Sequence, residues 1–192
     1  MIVKSFLKWS ETAKVSDRCR ATQALTQAYA QGCMNPTEQQ EAEAALALLL
    51  EDPSPKVRLA LAEGLAQVEH APRSILLGLA ADQIEVAGRI IALSPALADN
   101  DLIEIIASGR PSLQRFVAFR CPVSVSVAAA MAEVGDPDAI ADLLDNPHVR
   151  LARISLRRIA ERFGDNAEIR ARLFERQDLP CDVRQALVEQ LG

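Results

Sequence analysis

Aromatic residues are scarce, at 4% of the chain, and histidine occurs only twice. So few rings leave no platform on which successive bases of a nucleic acid can stack, and few imidazoles for acid–base or metal chemistry. Lysine stops at Lys56, so every cation of residues 111–192 is an arginine. The four cysteines, Cys19, Cys33, Cys121 and Cys181, are scattered, with no CxxC pair and no histidine at ligand spacing. Neither a disulfide framework nor a metal site is expected, and buried reduced thiols in a cytoplasmic protein are. The eight glycines form no GxGxxG or GxxxxGK loop to cradle a phosphate, and no cofactor is expected. No segment approaches the roughly eighteen uncharged apolar residues of a membrane span. The opening "MIVKSFLKW" has lysines interrupting its apolar run and no cleavage-like stretch after it, so no signal peptide is expected.

What the chain does have is Ala, Leu, Glu and Arg. Hydrophobic residues make up 49% and charged residues 24%, the balance of a soluble domain with ample core material. The scarcity of β-branched and aromatic residues favours helix over strand. The net charge of −5 is uneven: residues 1–34 carry five cations and two acids, 35–110 five and twelve, 111–192 eleven and twelve. An acidic middle disfavours nucleic acid, which binds by neutralised phosphates. Protein partners and self-association stay open.

Apolar residues recur with the period of a helix. Val57, Leu61, Leu65 and Val68 form one stripe; Val149, Ala152, Leu156, Ile159, Ala160 and Phe163 form another. Ser54-Pro55, Asp136-Pro137 and Asn146-Pro147 each read as a capping side chain before a first-turn proline. Gly32, Gly109, Gly135 and Gly164 read as left-handed C-caps. The spacing predicts roughly ten to twelve helices with short connections, among them helices over 3–12 and 147–163. No Gly-, Ser- or Pro-rich linker divides the chain, so 1–192 reads as a single domain, with 1–34 as capping helices.

One opening is spelled three times. "DPSPKVR" at 52–58 and "DLPCDVR" at 178–184 share the pattern Asp-x-x-x-x-Val-Arg, and "DNPHVR" at 145–150 is one residue shorter. Each leads into an Ala/Leu-rich helix. A two-helix unit cannot bury its apolar face alone, so such units stack, here with a period of roughly 27–36 residues. Val57, Val149 and Val183 are predicted core residues, and the following arginines are predicted to pair with acids of the turns. This pattern resembles HEAT and armadillo repeats, which implies an all-α fold, an α-α superhelix of about five to six helix pairs, with an Asp–Arg ladder between repeats. Asp82 and Val86 keep part of the pattern without the adjacent arginine.

A closer resemblance rests on several strings in order: "FLKWSETAKVSDR" at 6–18, "HAPRSILLGLAADQIEVAGRIIALSPALADNDLIEIIA" at 70–107, "MAEVGDPDAIADLLDNP" at 131–147 and "LFERQDLP" at 173–180. Together they resemble the DUF2336 family, a bacterial and mainly alphaproteobacterial group. The resemblance implies no catalytic residues. It also implies members longer than this chain, so the chain is expected to be either a short member or the N-terminal part of a longer one.

No catalytic constellation is legible. His70 and His148 fall at turns without a serine elbow, and the acidic pairs at 51–52, 136/138 and 142/145 fall at helix ends, where capping accounts for them. The candidate binding residues are Arg150, Arg153 and Arg157. On a helix over 147–163 they lie within about 60° of one another, and arginine suits bidentate capture of a carboxylate or phosphate. The bland alternative is a salt-bridged surface face. At the N-terminus, Ile2, Phe6, Leu7 and Trp9 read as an amphipathic cap, an exposed anchor for a partner, or a membrane-surface segment. The expected function is a cytoplasmic, non-enzymatic protein–protein interaction scaffold. The alternatives are a small-anion or nucleotide sensor using the arginine face, and, third, a HEAT-type enzyme acting on nucleic acid.

Overall fold

The computed structural model describes Trp9 and residues 12–189, and every regular element among them is a helix. The predicted helix over 3–12, with Ile2, Phe6 and Leu7, lies outside the described residues apart from Trp9 and Thr12. The helices are α1 (Val15–Ala30), α2 (Pro36–Leu50), α3 (Pro55–Leu65), α4 (Arg73–Ala80), α5 (Ile84–Leu93), α6 (Asp99–Ala107), α7 (Pro111–Ala118), α8 (Val125–Val134), α9 (Pro137–Asp145), α10 (Arg153–Phe163), α11 (Ala167–Glu175) and α12 (Cys181–Glu189). They form two compact units, one ending at Leu97 and the other beginning at Ala98.

Each unit is built in two layers. In the first, α1 packs on α3 and α3 on α5, while α2 packs on α4. In the second, α6, α8, α10 and α12 follow one another in one layer, and α7, α9 and α11 in the other. Packing between helices two apart in sequence is the signature of stacked helix pairs. The all-α class and the repeat stacking expected from the sequence hold within each unit.

The layers meet over aliphatic residues. In the first unit Leu46, Val57, Leu61, Leu65, Leu76, Leu79, Ile90 and Ile91 are fully enclosed; in the second, Ile106, Met131, Ile140, Leu143 and Ile159 are. Val57, Val149 and Val183 are all buried, as the repeated opening predicts. Small residues set the closest approach. A Cβ added at Gly64 of α3 would lie 2.1 Å from Thr26 Oγ1 of α1. Thr26 turns that hydroxyl onto the Thr22 carbonyl of its own helix at 3.0 Å, which keeps the polar atom satisfied under the crossing.

Local signals account for several boundaries and fail at others. Asn35 and Glu38 form a capping box that starts α2; Asp136 caps α9, and Asn166 caps α11. Gly32 and Gly109 take the left-handed conformation, with φ of 65° and 69°. Gly135 and Gly164 do not: their φ values are −64° and −57°. Ser54 precedes α3 without a side-chain cap. The helix predicted over 147–163 begins only at Arg153. Asn146 explains the delay. It is buried, donates to the carbonyls of Ala118 (2.8 Å) and Arg120 (2.9 Å), and accepts from the His148 N–H. Residues 146–152 are thereby held as a turn, and Val149 is buried from that turn rather than from a helix.

Replacing Val57 with Asp places an unpaired carboxylate in the first unit's core, at a cost of several kcal/mol. Gly64→Val forces α1 and α3 apart at their tightest crossing, while Gly32→Ala strains only an exposed loop. Thermal melting is expected to rank Val57→Asp and Gly64→Val far below wild type, with Gly32→Ala the mildest. Equal melting of Gly64→Val and wild type would contradict the crossing.

Candidate functional site

Arginines stitch each repeat to the next. Arg18 of α1 grips Asp52, ahead of α3, with Nε–Oδ2 at 2.8 Å and Nη2–Oδ1 at 3.0 Å, and its third nitrogen donates to the Ala13 carbonyl. Arg58 of α3 repeats the grip on Asp82, ahead of α5, at 2.5 and 2.9 Å, and donates to the Asp52 carbonyl at 2.7 Å. Asp52 is 8% exposed. Asp82 serves the ladder although no arginine stands next to Val86 in its own repeat. The Arg58 guanidinium holds the Asp82 carboxyl below the ordinary range, against the upward push of burial.

The second unit is stitched differently. Arg115 of α7 pairs with Asp142 of α9, and Asp145 of α9 with Arg172 of α11 at 2.9 Å. In the other layer Arg158 of α10 reaches Glu133 of α8 at 2.8 Å. Arg162 donates to the carbonyls of Ala132 and Gly135. Arg176 pairs with Asp178, whose carboxyl it holds low. Asp99, at the start of α6, accepts from Ser126 and Ser124. Those two hydroxyls lower its carboxyl, Ser126 first.

The three predicted binding arginines do not share a helix face. Arg153 and Arg157 lie on α10 and converge on one oxygen of Asp182 in α12, at 2.9 and 2.6 Å. These two, Arg153 first, hold the Asp182 carboxyl down to about 2. Arg150 lies on the preceding turn, exposed, and makes no hydrogen bond or ion pair among the described residues. Arg150 and Arg153 stand at the N-terminal end of α10, with Arg157 one turn further in. That end has no side-chain cap and no acid in its first turn, so the positive end of the helix dipole adds to the guanidinium charge.

Two concavities lie in the first unit. One, about 530 Å³, crosses the N-terminal turns of α1, α3 and α5 and is lined by Val15, Pro55, Lys56, Leu59 and Val86 among others. The other, about 270 Å³, is lined by Tyr29, Met34, Gln39 and His70. His70 stands 5.3 Å from Tyr29, ring to ring, and donates from Nε2 to the Tyr29 carbonyl. The Tyr29 hydroxyl donates toward Glu43; burial, then Glu43, pushes that phenol up. In the second unit the matching edge exposes Phe119, Val125 and Ile154. The pattern of apolar residues at first turns was available in the sequence, but which of them stay uncovered was not.

The cysteines depart from expectation. Cys19 is half-buried, and Cys33, Cys121 and Cys181 are exposed, because each of those three falls in a loop or at a helix start rather than on an apolar stripe. Among the described residues no group of three His, Cys, Asp or Glu side chains can hold a metal ion, and no helix is long and apolar enough to cross a membrane.

Asp52→Ala leaves the Arg18 guanidinium enclosed and unpaired, and is expected to cost about 3 kcal/mol or more. Loss of the exposed Arg20–Asp17 pair through Asp17→Ala should shift melting little. Depressed carboxyls make the pH dependence specific. Asp82, Asp99, Asp178 and Asp182 contribute stability that is complete above the unfolded carboxyl value of about 4. That stability is lost as pH falls through their lower folded values, the Asp182 contribution last, near pH 2. A melting temperature that falls between about pH 4 and pH 2 checks this.

No curated protein and no solved structure matches the chain. The model of a bacterial family described as "Uncharacterised protein conserved in bacteria (DUF2336)" matches residues 86–192. That match takes in all seven helices of the second unit and the strings at 131–147 and 173–180; the string at 6–18 lies outside it. With more than half of its length matched, the chain belongs to the DUF2336 family.

Proposed function

We propose that the chain is a non-enzymatic scaffold that binds another protein along the turn edge of each unit, at the first turns of α1, α3 and α5 in one and of α8 and α10 in the other. The observation that carries this reading is the contrast between that edge and the ion pairs beside it. In the first unit arginines and acids next to it are joined repeat to repeat, while Val15 remains exposed and a groove of about 530 Å³ crosses it; in the second unit Val125 and Ile154 remain exposed at helix starts. Apolar side chains left uncovered and rimmed by polar groups mark an interaction surface. The cytoplasm is the compartment proposed with it.

One observation favours a second reading, an anion or nucleotide sensor. Two guanidinium groups share a single carboxylate at Asp182, with Arg150 nearby in sequence and unengaged, an arrangement suited to a second anion.

Melting separates the two. A scaffold should melt at the same temperature with or without phosphate, sulfate or nucleotides; a sensor should be stabilised by its anion and lose that response when Arg150, Arg153 and Arg157 are changed to Gln. Quantitative capture from the native bacterial cell then tests the scaffold: wild type should retain a saturable partner, and Val15→Asp or Ile154→Asp should release it. Retention of the same partner by both variants would reject the edge as the binding surface.

A further inference from the structure

We infer that the turn edge of the second unit is a docking surface for an acidic, apolar peptide segment of a partner protein. The inference rests on the scaffold reading and names the partner's chemistry for one surface.

The edge is built by Asn146. Its two bonds to the Ala118 and Arg120 carbonyls tie the turn after α9 to the turn after α7. Three residues of that edge then stand in solvent: Phe119 at 57%, Val125 at 52% and Ile154 at 74% exposure. Phe119 closes α7, Val125 opens α8, and Ile154 sits in the first turn of α10, beside α8 in the same layer. None of the three contributes to the core, and covering them would remove a large apolar area from water.

Charge selects what covers them. On a helix, Ile154 and Arg157, three residues apart, are surface neighbours, and Arg153 and Arg150 come just before. This charge stands at a helix start with no cap and no first-turn acid, where the dipole disfavours cations and favours an anion. The chain's own answer is one carboxylate, Asp182, shared between Arg153 and Arg157; Arg150 is left for another. A partner segment with apolar side chains for the three exposed residues and carboxylates for the arginines completes both sets of contacts. A basic or neutral segment completes only the first.

The test is selection of random linear peptides displayed on phage against the full chain, followed by fluorescence anisotropy with the synthesised winners. The expected winners combine Asp or Glu with Leu, Ile or Phe. Ile154→Asp and Arg150→Glu should each weaken them by about tenfold, as for anchors at the centre of an interface, while Asp17→Ala, which removes only an exposed ion pair of the first unit, leaves them unchanged. Both second-unit variants alter exposed side chains outside the core, so a normal melting curve certifies the comparison. Winners that are neutral or basic, or that ignore both variants, overturn the inference. Winners lost only in Val15→Asp overturn it while leaving the scaffold reading in place. Failure to select any saturable binder overturns both. Co-sedimentation with phosphatidylglycerol vesicles that is lost in Ile154→Asp would assign the edge to a lipid surface and overturn the peptide.

Discussion

A short helix with one apolar stripe is unstable by itself, and most of the structure follows from that. The longest helix here has 16 residues and most have eight to eleven, at or below the length where an isolated helix is marginal in water. A pair of such helices covers part of each stripe; the rest must be covered by the next pair. Hence helices two apart in sequence pack together, and each layer is a row of like elements. The approach is close enough that Gly64 and Thr26 touch backbone to side chain.

Stacking brings turns from successive repeats side by side, and there the polar groups need partners. Arginine supplies them. Arg18–Asp52, Arg58–Asp82, Arg115–Asp142, Arg157–Asp182 and Arg158–Glu133 join residues 24 to 34 apart in sequence, about one helix pair. A planar guanidinium can hold a carboxylate with two nitrogens and a carbonyl with the third, as Arg58 does with Asp82 and Asp52. A lysine, with one point charge, cannot hold that geometry. This accounts for the replacement of lysine by arginine after Lys56 better than solubility does. It also sorts the pairs by their effect on stability. The enclosed ones in the first unit fix the spacing of repeats, because breaking one strands a charge away from water. The exposed ones in the second unit are closer to neutral.

Because both layers of each unit face one another over the core, the surfaces left for binding are the outer faces and the edges. The edges carry most of the information. They hold the inter-repeat turns, the uncapped helix starts and the apolar residues that no neighbour covers. Turn residues can change there while the core stays the same, and the two units, each taken by itself, already differ in them. One carries a groove with Lys56 and Glu85, the other an exposed Phe, Val and Ile beside arginines.

The apolar period and the repeated Asp-x-x-x-x-Val-Arg opening determined the helical class, the pairing into repeats and the burial of Val57 and Val183, because helix periodicity and the need to cover a stripe are local properties; Val149 is buried too, but from a turn. The Asp136 cap and the left-handed Gly32 and Gly109 were legible for the same reason. Tertiary structure decided the rest. Asn146 looked like an N-cap and became a buried tie between two turns: its amide N–H groups reach carbonyls 26 and 28 residues away, while its oxygen holds the His148 N–H in a turn. That shortened α10 and parted Arg150 from the face predicted for it with Arg153 and Arg157. Asp82 lacked its arginine in sequence and found Arg58 from the repeat before. Pairing across repeats depends on where a guanidinium arrives in space, a position set by how two layers pack.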